Sequence, residues 1–120
     1  MSDINLEQYI DLKSALPRVM GNQTIYQKML NMFLDSTEFA ALEEELEKGD
    51  YAKAGDVAHA IKGMTGNLGF VMLFETSTQF MNELRAGTFD PATADAYRDS
   101  YTKTKEAAEY LISHPEEIKA

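Results

Sequence analysis

His59, Lys62 and Gly63 stand three and four residues apart in the run His59-Ala60-Ile61-Lys62-Gly63-Met64-Thr65-Gly66-Asn67-Leu68-Gly69. On an α-helix such residues share one surface. A neutral imidazole is a nucleophile, and free imidazole is mostly neutral at pH 7. A lysine one turn further on places a cation where an anionic group carried by that ring would sit. The glycines are the unusual part. Each costs a helix about 1 kcal/mol relative to alanine, so some benefit must offset them.

Other chemistries fit less well. A metal site needs more ligands, but the chain has no cysteine and its only other histidine, His114, lies near the far end. No Glu-x-x-His pair marks a carboxylate-bridged site. A small metal or cofactor bundle therefore lacks inward ligands. No nucleophile motif supports a hydrolytic triad. Gly63-x-x-Gly66-x-x-Gly69 continues a helical pattern instead of following a strand, so it is no phosphate-binding loop. An exposed nucleophile flanked by a cation remains.

The elements that must position these residues are all helical. Asn5 and Asp11 are candidate starts for a short N-terminal helix that Pro17 interrupts and that ends near Met20-Gly21. Asn22 caps a segment free of Pro and Gly as far as Lys48, which predicts one helix about 39 Å long. Tyr26, Met29, Leu30, Phe33 and Leu34 recur at helical spacing, and Phe39, Leu42 and Leu46 extend the apolar rows. Gly49-Asp50 ends that helix and caps the next, expected from Tyr51 to Leu68. Gly69 breaks the chain before a helix from Phe70 to Ala86. Leu73, Phe80 and Leu84 mark the inner face of that helix, with Phe70, Phe74, Ser77 and Met81 beside them. Asp90 and Pro91 open a last helix to Ser113, with Ala94, Tyr97, Tyr101, Ala108 and Leu111 along one side. Pro115 closes it, and Glu116-Glu117 are expected to fray. Met29, Met32, Met64, Met72 and Met81 are expected to fill the core. Without alternating strand patterns or repeats, the expectation is an all-α fold: an antiparallel four-helix bundle with a short additional N-terminal helix.

A helical wheel places the candidate residues. With His59 at zero and about 100° per residue, Leu68 falls at about 180°, Val57 at about 160°, Ile61 at about 200° and Met64 at about 140°. Ala54 and Thr65 follow at about 220° and 240°, completing the face expected to be buried. His59 then points directly outward. Gly66, Gly63 and Gly55 fall within about 40° of it, with Lys62 and Asp56 at about 60° to either side. A face bared of side chains would let another macromolecule approach the imidazole, with Gly55, Asp56 and Gly66 as expected partner contacts.

The 120 residues suit a single domain, 1–120. The net charge of −9 opposes nucleic acid and anionic membranes as partners. No run approaches the ~20 apolar residues of a membrane span, and Met1–Asn5 carries no signal-peptide pattern. A cytoplasmic location is expected.

The run His59-Ala60-Ile61-Lys62-Gly63 through Leu68-Gly69 resembles the signature of histidine-containing phosphotransfer (HPt) domains, His-x-(Leu/Ile)-Lys-Gly followed by a short segment and Gly. Asp11-Leu12, Ala15-Leu16, Gly21-Asn22, Tyr26, Leu30, Phe33 and Leu34 are similar to the family's entry into its first long helix. Gly49-Asp50 resembles its turn before the active-site helix. The resemblance implies that His59 is the phosphoacceptor, that Lys62 sits beside the phosphoryl group and that Gly63 keeps its approach clear. It implies a phosphorelay carrier without independent turnover that exchanges phosphoryl groups with response-regulator receiver domains and works with a hybrid histidine kinase. The receiver would supply Mg²⁺ and most catalytic groups, so this chain is expected to bind no cofactor and no metal. Met64 stands where the family often has a small residue, which should alter packing more than chemistry. Met81 stands near where many members have Glu or Gln, so an auxiliary polar contact to the histidine region is not expected here. A monomer is the simplest expectation, either free-standing or as a domain of a larger kinase. The alternative is a helical adaptor that binds a receiver or kinase without accepting phosphate.

Overall fold

The computed structural model describes residues 5–120. Residues 1–4, on which the expectation of no signal peptide mostly rests, lie outside the described residues. The chain is an all-α helical bundle, as its periodicity requires. Helices α1 (Leu6–Tyr9) and α2 (Leu12–Ala15) precede a 3-10 turn at Leu16–Val19. Then come α3 (Gln23–Leu34), α4 (Glu38–Glu47), α5 (Tyr51–Leu68), α6 (Val71–Arg85) and α7 (Pro91–Ser113). The short turns between successive long helices bring neighbours side by side.

The N-terminal region is a string of short pieces, not one helix. Asn5 makes no side-chain cap, whereas the Asp11 carboxylate accepts from the Ser14 amide at 3.2 Å. Pro17 falls within the 3-10 turn, and Met20 (φ 56°) and Gly21 (φ 71°) end it in the left-handed region. This segment docks on the turn between α5 and α6. The Asp11 amide donates to the Gly69 carbonyl at 2.7 Å, and Ile10 pairs with Phe70 in an isolated antiparallel bridge.

The single helix expected from Asn22 to Lys48 is two helices, broken at Asp35-Ser36-Thr37. The buried residues explain the break. Continued as one helix, Tyr26, Leu30 and Phe33 would face roughly 180° away from Phe39 and Leu42. Breaking the helix lets both groups reach the core, where the Phe33 and Phe39 rings meet edge to face at 5.5 Å. The break satisfies its own backbone locally. The Ser36 amide donates to the Phe33 carbonyl, and the Ser36 hydroxyl accepts from the Glu38 amide, both at 3.2 Å. Phe39 stacks on Tyr101 of α7 at 4.0 Å, tying α4 into the bundle.

The other helix limits follow the sequence signals. Asp50 caps α5 through the Lys53 amide at 3.1 Å, and Asp90 caps α7 through the Ala92 amide at 2.9 Å. Leu73, Phe80 and Leu84 of α6 are buried, as are Ala94, Tyr97 and Leu111 of α7. The fraying expected at Glu116-Glu117 does not occur. Residues Pro115–Glu117 form a 3-10 turn, Ile118 is 3 % exposed, and Tyr110 donates to the Glu117 carboxylate. Gln23 holds the same turn by donating to the Pro115 and Ile118 carbonyls. The tail thus closes one end of the bundle between α3 and α7. The methionines divide: Met81 is buried and Met29, Met64 and Met72 are half-buried, but Met32 is 70 % exposed and fills no core.

Candidate functional site

The scaffold of the site is α5, fixed at both ends. Gly49 (φ 72°) and Asp50 set its start. At its end Gly69 adopts φ 74°, and the Phe70 amide reaches back to the Thr65 carbonyl at 3.0 Å. This is the left-handed cap that glycine favours. A side chain at Gly69 would also meet the N-terminal segment, because a Cβ there would lie 2.6 Å from the Asp11 carbonyl oxygen. The hydroxyl of buried Tyr26 in α3 donates to the Leu68 carbonyl at 2.5 Å, a third restraint on the last turn of α5. Burial pushes the Tyr26 phenol pKa up, so it remains a donor.

The buried residues of α5 are Ala54, Gly55, Ala58, Ile61, Thr65 and Leu68. On the wheel they span roughly 180° to 320° from His59, with a centre near 250° instead of the expected 180°. Val57 and Met64 are only half-buried. The wheel weighted bulky apolar side chains, whereas Ala54, Gly55 and Ala58 are buried because small residues let α5 lie close against its neighbours. His59 is exposed, but at the margin of the open face next to α6, not diametrically opposite the core.

This rotation separates the glycines. Gly55, expected on the outward face as a partner contact, is buried: a Cβ there would lie 3.1 Å from the Arg85 Cγ and 3.6 Å from the Leu84 Cβ. A Cβ at Gly66 would lie 3.3 Å and 3.4 Å from two ring carbons of Phe74. Both therefore have packing reasons on the α6 side. Gly63 alone of the three is exposed, and a Cβ added to it would meet nothing within 4 Å. Asp56 is exposed on the open face, with its carboxylate 3.7 Å from the Arg85 guanidinium.

His59, Lys62, Gly63 and Gly66 line one groove of about 570 Å³. Its other walls come from Asp11, Ser14 and Arg18 in the N-terminal segment and from Val71, Phe74 and Glu75 at the start of α6. Lys62 is half-buried, its ammonium 5.9 Å from the centroid of the Phe74 ring. Among the described residues it pairs with no carboxylate. Arg18 donates to the Asn67 side-chain oxygen at 3.4 Å. The arrangement offers an open imidazole, an uncommitted cation, a second cation at the rim and an apolar edge.

Sequence reasoning missed the N-terminal wall and the apolar rim. Nothing in the spacing of Asp11, Ser14 and Arg18 ties them to α5, because the Asp11–Gly69 backbone pairing that brings them there is long-range. Phe74 had a signal. It lies about 100° round from Leu73, at the margin of the inner arc of α6, and it is 37 % exposed. His114 does not join the site: it stacks on Tyr110 at 4.1 Å, and its Nδ1 lies 2.9 Å from the Tyr110 carbonyl oxygen. Among the described residues no group of three or more His, Cys, Asp or Glu is placed to hold a metal ion, and no helix is long and apolar enough to cross a membrane.

An exposed histidine on a bundle helix, with a lysine and an open glycine within one turn, defines a recognisable class of helical protein. The Hpt domain family model matches residues 28–109, more than half of the chain, and the chain belongs to that family. Hpt domains are phosphocarriers with a phosphotransfer role in two-component signalling, and they interact with response-regulator receivers. The matched region contains His59, Lys62 and Gly63 and leaves Asp11, Ser14 and Arg18 outside it. Comparison with curated proteins and with solved structures gives no significant match.

Proposed function

We propose that this chain is the carrier of a multistep phosphorelay in which His59 accepts a phosphoryl group from the aspartyl phosphate of one receiver domain and returns it to the aspartate of another. The observation that carries this reading is the exposed His59 in a groove with Lys62 and open Gly63. In the forward step the lone-pair nitrogen of the neutral imidazole attacks phosphorus in line. A P–N bond forms, the aspartyl P–O bond breaks, and its electron pair returns to the carboxylate. Transfer of this kind rests on positioning and electrostatics. Lys62 offsets the phosphoryl charge, and Gly63 leaves room for the receiver's aspartate to approach the imidazole. The receiver brings Mg²⁺ and most of the catalytic groups. A hybrid histidine kinase is the other partner of the relay, and the chain acts as a cytoplasmic monomer without turnover of its own.

The deciding experiment is incubation with a phosphorylated receiver, followed by a search for acid-labile, base-stable label on this chain. Label is expected on the wild type and absent from His59→Gln. Label that persists in His59→Gln overturns the assignment. A wild type that binds the receiver without taking label is an adaptor instead.

A further inference from the structure

Phe74 is a large aromatic side chain left 37 % exposed at the start of α6, immediately after buried Leu73. Its ring lies against the backbone of α5 at Gly66, where even a methyl group would come within 3.3 Å of it. That close seat fixes the ring on the wall of the His59 groove. One turn earlier on α5, the Lys62 ammonium stands 5.9 Å from the ring centroid, within the reach of a cation–π attraction. Lys62 has no carboxylate partner among the described residues, and Glu75 is the acidic neighbour of Phe74 on the same wall. His59, Lys62, Gly66 and Phe74 all line this one groove.

We propose that Phe74 is a positioning residue: its ring keeps the Lys62 ammonium at the groove, where it meets the phosphoryl group carried by His59. The proposal rests on the phosphocarrier reading. An unrestrained lysine side chain spreads its charge over many rotamers. The π face narrows that spread, yet it is a weak partner compared with a phosphoryl dianion. Lys62 is therefore held close without being committed. A carboxylate in the same place would bind the ammonium more tightly and would also repel the incoming phosphoryl group. Gly66 completes the arrangement, since a Cβ there would come within 3.3 Å of the ring and make it give way by a few tenths of an ångström.

The test uses the full chain and phosphoramidate as a small-molecule donor, so that no receiver surface contributes. Decay of the phosphohistidine is followed by ³¹P NMR for wild type, Phe74→Leu, Phe74→Ala and Phe74→Tyr, each with Lys62 and with Lys62→Ala. A surface cation–π contact corresponds to a factor of about two to five. Phe74→Leu and Phe74→Ala are expected to shorten the phosphohistidine lifetime by that factor, and Phe74→Tyr, which keeps the π face, to restore it. In the Lys62→Ala background all four are expected to decay alike, the signature of coupled residues. Phe74→Leu preserves apolar bulk at a partly exposed position, and circular dichroism checks that it folds. Lifetimes unchanged in Phe74→Leu and Phe74→Ala overturn the inference, as does an equal acceleration with Lys62→Ala, which would make Phe74 act independently of the lysine. The failure of the underlying reading looks different: wild type takes no label, or His59→Gln keeps it, and the inference then falls with it.

Discussion

Replacing Gly63 separates what this residue does for the helix from what it does for the site. Gly63 lies in the interior of α5 with ordinary helical φ, and an added Cβ meets nothing within 4 Å. The folded state therefore has room for a side chain, and only helix propensity changes. Gly63→Ala should stabilise the protein by about 1 kcal/mol, and Gly63→Gln by slightly less. With a urea dependence of about 1–3 kcal/mol per molar, the unfolding midpoint should rise by roughly 0.3–1 M. Gly63 is also one turn from His59 on the same face, with Cβ positions about 5–6 Å apart in such a pair. A glutamine at 63 reaches across the space a receiver must enter. Phosphotransfer from a receiver should then slow by at least about tenfold, equivalent to about 1.4 kcal/mol in the barrier. Labelling by phosphoramidate, which needs little clearance, should change far less. The assay pairs urea titration with the rate of transfer from a phosphorylated receiver. A Gly63→Gln variant that is more stable and transfers at the wild-type rate refutes the clearance argument. A Gly63→Ala variant that loses stability refutes the assignment of open space.

Gly69 and Gly49 share nearly the same φ, 74° and 72°, but a Cβ at Gly49 meets nothing within 4 Å, whereas one at Gly69 would strike the Asp11 carbonyl. Gly49→Ala should cost about 1–2 kcal/mol for the left-handed backbone alone, and Gly69→Ala should add about 1–3 kcal/mol of overpacking. Equal losses in urea titrations would show that the N-terminal segment yields freely. The Glu83 carboxylate accepts from the Asp90 amide at 2.7 Å, from the Thr93 hydroxyl at 2.7 Å and from Gln79 at 3.2 Å, which holds its pKa below the ordinary carboxylate range. Because the folded pKa is the lower one, this contribution is present above the unfolded value of about 4.3 and is lost as pH falls through the folded value. Glu83→Gln should therefore shrink the difference between unfolding midpoints at about pH 7 and about pH 3. An unchanged difference would remove these hydrogen bonds from the acid sensitivity of the fold.

The two faces of α5 show how far sequence reasoning reaches. Periodicity is a local property, so the helical class, the limits of α5 and the caps at Asp50, Gly69 and Asp90 were legible directly. So was the cluster of His59, Lys62 and Gly63, because neighbours on a helix are set by spacing alone. The break between α3 and α4 was half-legible: the jump in apolar phase between Phe33 and Phe39 was present, but the absence of Pro and Gly concealed it. The packing of the tail was not legible. Its retention depends on Ile118 finding the core and Gln23 reaching it from α3, contacts far apart in the chain.

By itself the sequence determined an all-α chain with an exposed histidine, a cation and a bare glycine within one turn of helix. Only the tertiary structure decided why the three glycines differ. Gly55 and Gly66 lie under Arg85 and Phe74, while Gly63 faces open space. The wheel could not see this, because the rotation of α5 is set by which neighbour it packs against. That packing favours its small residues on the α6 side, and it places His59 beside a groove whose far wall comes from the N-terminal segment.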